Sequence, residues 1–262
     1  MKLPQERAVT AGGLVWRVIE TRGTKQGPVL VMLPGTLGTA SIFEDVITAL
    51  GSQLRIVSVT YPMIDDIERL ADSLARLLDG MGISRASVVG SSLGGFLAQH
   101  FAGRHPARVD RLILGNTLCD PELTRRLVGR TPVQGLRDTP ASAHRDMVLN
   151  SVKSWPETDP ATKKLKAILI DSGTRLLSAR AMKARVLAVQ AAPAVPKLDI
   201  APERITIIDC VDDPLLPRPV QDSVVQQYPG AHLVRMSSGG HYPYIVRTAD
   251  YIAALKEALA IA

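Results

Sequence analysis

Residues 86–104 read ASVVGSSLGGFLAQHFAGR, and the order of parts within this stretch decides the fold. Val88 and Val89 read as the end of a buried strand, while Leu93, Phe96, Leu97 and Phe101 recur at the spacing of one helix face. A serine pair therefore lies on a strand-to-helix corner. Gly90-Ser91-Ser92-Leu93-Gly94 fits the pattern G-x-S-x-G, in which a sharp turn lifts the central hydroxyl clear of the end of a sheet. Such a turn holds its serine in a sparsely populated backbone region at a cost of about 1–3 kcal/mol, and its flanks must be small because strand and helix nearly touch. Gly90 and Gly94 meet that need, which makes Ser92 a candidate nucleophile. The plainer alternative is a glycine-softened turn or a phosphate loop, but the G-x-G-x-x-G spacing of a dinucleotide loop is absent.

Outward from this corner, apolar strands alternate with helices. Residues 14–20 alternate apolar and polar as a half-exposed strand does, residues 23–27 read as a turn, and residues 28–33 are continuously apolar, as in a strand covered on both faces. Ser41-Ile42-Phe43-Glu44 reads as a capping box opening a helix towards Leu50. Residues 54–60 form the next predicted strand, 67–81 a helix and 111–115 a further strand. This alternation with short connections predicts an α/β fold with a mostly parallel central sheet flanked by helices. The rhythm stops near Thr117 and resumes at Ile205. So long an interval is not a structureless loop, and residues 122–129, 141–155 and 161–191 read as helices separated by prolines. The expected organisation is a core of residues 1–116 and 201–262 with an inserted helical lid, residues 117–200. Residues 205–210 and 231–236 are strands, 219–228 a helix, 237–243 a loop and 249–261 a final helix.

A chain of 262 residues with 46% apolar content can form one domain that buries about three quarters of its unfolded surface. No apolar run precedes Glu6 and Arg7, and no segment approaches a membrane span in length, so neither a signal peptide nor integral membrane association is expected. The two cysteines, Cys119 and Cys210, read as free thiols of a reducing compartment, which predicts a cytoplasmic protein. Neither they nor the five scattered histidines have metal-site spacing; no metal or cofactor is expected. The formal net charge is +6, and residues 121–200 hold fourteen basic against seven acidic side chains. The default for that excess is a solvated basic face; the functional alternative is anionic esters or acidic lipid surfaces, and no nucleic-acid motif accompanies it.

A serine hydroxyl is a poor nucleophile until a base takes its proton, and the base needs a carboxylate to fix its tautomer. Both are expected after the serine, acid first and histidine second. Asp212-Asp213 follows the strand at 205–210, and Gly239-Gly240-His241 follows the next one, each beyond a strand end where α/β sites assemble. Loop length leaves Asp212 and Asp213 both open. His105, at a helix end before Pro106, is expected to make a favourable dipole contact, and His100, His144 and His232 are not placed to serve Ser92. The N–H of Leu93, just after the nucleophile, is one expected oxyanion donor.

The segments LPGTLGTASIF (33–43), VTYP (59–62), GSSLGGFLAQHFA (90–102), LILGNTLCD (112–120) and YPGAHLVRMSSGGHYPY (228–244) carry a resemblance over nearly the full chain. The sequence resembles the α/β-hydrolase superfamily and, within it, the maspardin-like proteins. The resemblance implies the α/β-hydrolase fold. It also implies that the glycine-bearing loop after residue 33 supplies the second oxyanion N–H, that of Thr36 with Leu37 as the neighbouring candidate. It favours Asp213 as the acid, because this residue immediately precedes the turn Pro214-Leu215-Leu216-Pro217. Pro34 departs from the histidine many hydrolases carry ahead of the oxyanion glycine. Maspardin-like proteins are regarded mainly as binding or trafficking proteins and do not keep a histidine where His241 stands. A serine at the corner counts against haloalkane dehalogenase and epoxide hydrolase chemistry, which related families run with an aspartate nucleophile. The expected function is a serine hydrolase of carboxylic esters with a small-molecule ester substrate and no nucleic-acid partner. The alternatives are a maspardin-like binding protein, or a C–C hydrolase or perhydrolase on the same triad. Met147, Leu149, Trp155 and Leu176 are candidates for lining a pocket, with the core as the competing destination.

Overall fold

The computed structural model describes residues 2–23, 28–129 and 131–261, so the turn predicted at 23–27 lies, apart from Gly23, outside the described residues. Eight strands form one sheet: β1 (Arg7–Ala11), β2 (Leu14–Glu20), β3 (Val29–Leu33), β4 (Arg55–Thr60), β5 (Ala86–Ser91), β6 (Val109–Gly115), β7 (Ile205–Cys210) and β8 (His232–Met236). Their order across the sheet is β1-β2-β4-β3-β5-β6-β7-β8. The first two strands run antiparallel, and every pairing from β4 to β8 is parallel.

The continuous apolar runs are explained by cover on both faces. In β3, Val31 and Leu33 enter one core layer and Leu30 and Met32 the other, and Val88 and Val89 divide in the same way in β5. The first layer is closed by α2 (Ile67–Gly80), α3 (Leu93–Arg104) and α9 (Arg218–Gln227), through residues such as Leu74, Phe96 and Val224. The second is closed by α1 (Glu44–Leu50) and α11 (Thr248–Leu259), through Val46, Ile47, Tyr251 and Leu255. Strand order reverses between β3 and β5: the chain leaves β3 for β4 on one side and returns to β5 on the other. The loops after these two strands therefore diverge and leave a crevice at their carboxyl ends.

Between β6 and β7 the chain forms α4 (Pro121–Val128), α5 (Val133–Asp138), α6 (Ala141–Ser154), α7 (Pro160–Asp171) and α8 (Ala179–Gln190); α10 (Pro243–Val246) follows β8. The helix expected over 161–191 is in fact two. A π-helical turn at Ser172–Leu176 ends α7, and Ser178 caps α8 by accepting the Ala181 N–H at 3.1 Å. The capping box expected at Ser41 does not form. Residues Ala40–Phe43 make a 3-10 turn with no side-chain cap, and the Ser41 hydroxyl lies 3.0 Å from that of Thr39 instead. No helix among the described residues is long and apolar enough to cross a membrane.

Candidate active site

Ser92 joins β5 to α3 at φ 55° and ψ −119°, a region that costs about 1–3 kcal/mol for a residue with a side chain. Its neighbours hold it there: its N–H donates to the Gly115 carbonyl at 3.0 Å, and its own carbonyl accepts from the Thr117 hydroxyl at 2.7 Å. Glycine is required on both sides. A Cβ at residue 94 would sit 1.9 Å from the Leu33 carbonyl oxygen, and one at residue 90 would sit 2.1 Å from that of Gly94. The first turn of α3 thus lies directly against the end of β3, which brings the loops after β3 and β5 together.

From β7, the aspartate pair divides its work. Asp213 Oδ2 lies 2.8 Å from His241 Nδ1, and both side chains are buried. A carboxylate only accepts, so Nδ1 carries the proton and the lone pair of neutral His241 is on Nε2. Asp213 Oδ1 accepts from the Leu215 and Leu216 N–H groups at 2.8 and 3.1 Å, which is why the Pro-Leu-Leu-Pro turn follows it. Burial acts to raise the Asp213 pKa, but the His241 charge and hydrogen bond, the Asn116 amide and the Leu215 N–H outweigh it and hold the carboxyl below its usual range. Asp212 instead accepts from the Gly239 and Gly240 N–H groups at 3.2 and 2.9 Å, pinning the loop that carries His241.

Asn116 was not among the residues expected. Its amide donates to Asp213 Oδ2 at 2.8 Å and to the Gly240 carbonyl at 3.0 Å, tying the ends of β6, β7 and β8. Its φ of 37° is a conformation asparagine tolerates better than most residues, the signal in LILGNTLCD that marks it.

In the loop after β3, the turn closes with a hydrogen bond from Gly38 N–H to the Gly35 carbonyl at 3.0 Å, which leaves the Thr36 and Leu37 N–H groups outside the turn's own bonding. Leu93 is the first residue of α3, so its N–H has no partner within the helix. The three successive carbonyls of the loop are held by the helical segment between β6 and β7. Arg185 Nη1 donates to Thr36 at 3.2 Å and to Gly38 at 2.6 Å, and Ser172 donates to Leu37 at 2.5 Å. Arg185 is 1% exposed and has no carboxylate partner among the described residues. Its guanidinium lies 5.0 Å from the centre of the Tyr61 ring, and burial draws its pKa down to about 10. Tyr61 in turn donates to the Pro34 carbonyl at 2.7 Å. Neither Arg185 nor Ser172 was predicted, because a single arginine in AMKARVLAVQ carries no motif.

Ser92, Leu93, Thr36, Leu37 and His241 all line one cavity of about 410 Å³, roofed by residues of α4, α5, α6 and α8. Met147 and Trp155 line it as expected, whereas Leu149 is buried in the core and Leu176 borders a separate groove beside Lys164. His144, read as unable to serve Ser92, lines the cavity too. His105, at the C-terminal cap of α3, is also paired with Asp72 at 2.9 Å, His100 is buried edge-on to Phe96, and His232 is half-exposed beside Glu257. Cys119 and Cys210 are buried and unbridged. Among the described residues, no three His, Cys, Asp or Glu side chains converge to hold a metal ion.

Residues 30–255 match the model of the alpha/beta hydrolase family. Maspardin of Danio rerio is 27% identical over 242 residues, covering 90% of this chain and 75% of that protein. Maspardin of Homo sapiens is 29% identical over 225 residues, covering 84% and 71%. Among solved structures, the enol-lactonase of Burkholderia xenovorans LB400 superposes with a TM-score of 0.79 at 19% identity, over 97% of this chain and 100% of the other. The family match spans the parallel strands, the Ser92 corner and the loops that bear Asp213 and His241, and the chain belongs to the alpha/beta hydrolase family.

Proposed function

We infer that this chain is a serine hydrolase of carboxylic esters that works through a Ser92–His241–Asp213 triad and an acyl-enzyme. His241 Nε2 takes the Ser92 proton as the hydroxyl attacks the ester carbonyl, and Asp213 steadies the imidazolium. The N–H groups of Leu93 and Thr36 receive the oxyanion. His241 then gives its proton to the leaving alcohol, and water repeats the sequence on the acyl-enzyme. The observation that carries this reading is the buried 2.8 Å contact between His241 and Asp213 at the wall of the cavity that Ser92 lines. A histidine with no catalytic work would not need a buried carboxylate, a tethering asparagine and a second aspartate fixing its loop. Buried free thiols support a cytoplasmic setting.

Labelling with a fluorophosphonate probe tests the proposal. Wild-type protein should label and hydrolyse short p-nitrophenyl esters, and Ser92→Ala and His241→Ala should each lose both. Absence of labelling and turnover in wild type removes the catalytic reading. The similarity to maspardin favours a second one, a binding protein that keeps the cavity without turnover. That protein would bind ligands with Ser92→Ala and wild type alike.

A further inference from the structure

The cavity is walled mostly by aliphatic and aromatic side chains, and among the described residues no Asp, Glu, Lys or Arg lines it. Polar residues of this wall outside the triad and oxyanion loop include Thr131, Ser151, Tyr242, His144 and Gln190, and the last two carry buried atoms without a partner among the described residues. His144, on α6, is 4% exposed, and neither ring nitrogen has a hydrogen-bond partner among the described residues. Gln190, at the end of α8, has a buried Oε1 that is also unpartnered among the described residues. Both line the cavity. Buried polar atoms are nearly always satisfied, so two orphans on one cavity wall point to a ligand that supplies their partners. The triad and oxyanion loop use neither residue.

Charge decides the kind of ligand. Lys183, whose charge acts on His144, spends its ammonium on the Arg137 and Thr139 carbonyls at 2.7 and 2.6 Å. Burial, aided by Lys183, lowers the His144 pKa, so the ring is neutral and offers one donor and one acceptor. The Gln190 Oε1 asks for a donor. An ionised ligand group would lose its hydration here with no described counter-charge on the wall. A neutral hydroxyl donates and accepts at once and meets both needs. The basic side chains of the helical segment do not reach the cavity among the described residues, which turns the specificity away from anionic esters.

We propose that His144 and Gln190 form a polar subsite that binds a neutral hydroxyl carried by the substrate away from its scissile ester, so that the preferred substrates are hydroxy-substituted esters. This proposal rests on the serine hydrolase reading for its chemistry but not for its binding. The test compares p-nitrophenyl esters of ω-hydroxy acids with isosteric alkanoates across chain lengths, 6-hydroxyhexanoate against heptanoate being one pair. The expected result is a preference in kcat/KM of about tenfold or more for the hydroxy ester, peaking at one chain length. His144→Leu and Gln190→Met should collapse that ratio towards one. Because His144→Leu removes an unsatisfied buried group, its Tm should match or exceed wild type, an outcome a structural histidine would not give. Equal or better use of the alkanoates at every length, or a ratio untouched by both substitutions, overturns the subsite. Calorimetric binding of 6-hydroxyhexanamide and heptanamide to Ser92→Ala separates the two readings. Turnover without a hydroxyl preference overturns the subsite alone, a binding preference without turnover overturns the hydrolase alone, and neither turnover nor preference overturns both.

Discussion

Asp213 and Asn116 show how much chemistry can rest on single atoms. Asp213 Oδ2 takes hydrogen bonds from both His241 and Asn116, so changing Asp213 to asparagine presents an amide where a carboxylate fixed the tautomer. Asp213→Asn is expected to lower kcat by roughly 10⁴-fold with little change in fold, checked by turnover of a p-nitrophenyl ester and circular dichroism. Asn116→Gly keeps a residue comfortable at φ 37° and deletes only the amide. Its loss should cost about 10–100-fold in kcat/KM, the range of a hydrogen bond to a charged group. Sequence reading reached Ser92 and His241 because chain order and flanking glycines mark them. It favoured Asp213 only through the turn that follows, and kept Asp212 as an alternative, because neighbouring residues on a loop differ only in the partners they meet. Asn116 escaped because its partners come from strands far along the chain.

At the scale of elements, the contact between α3 and β3 is the tightest in the site. Gly94→Ala must push the Leu33 carbonyl away and is expected to destabilise the protein by more than about 3 kcal/mol in urea melts. Gly80→Ala, at the end of α2 where an added methyl meets nothing within 4 Å, should instead stabilise by about 0.5 kcal/mol. The long amphipathic elements were legible: Leu70, Leu74, Leu77 and Leu78 fix α2, and the strand cores follow from their apolar runs. Boundaries set by tertiary contact were not. The chain over 161–191 has helical character throughout, yet it breaks where Ser172 turns aside to hold the Leu37 carbonyl. β1 is mostly exposed and carries no apolar run, so only its pairing with β2 makes it a strand.

Across the whole molecule, burial of neutral histidines sets the response to acid. His100 lies inside the core, and burial lowers its pKa from 6.5 to about 4. The unfolded chain therefore binds a proton that the folded chain refuses, and stability that is complete above pH 6.5 falls as pH drops towards 4. The loss is about 3 kcal/mol from this residue. Thermal melts of His100→Leu between these pH values should show a flatter profile than wild type; an unchanged slope assigns the acid response elsewhere. Arg185 and Ser172 have a different molecular consequence. They connect α8 and the end of α7 to peptide groups 135 to 149 positions earlier, so the roof of the cavity also shapes the floor beneath it. The helical segment is therefore not an exchangeable module. A chimera that takes its roof from another hydrolase would retain the triad residues yet lose the loop geometry that serves them, unless an arginine and a serine are grafted back at those two positions.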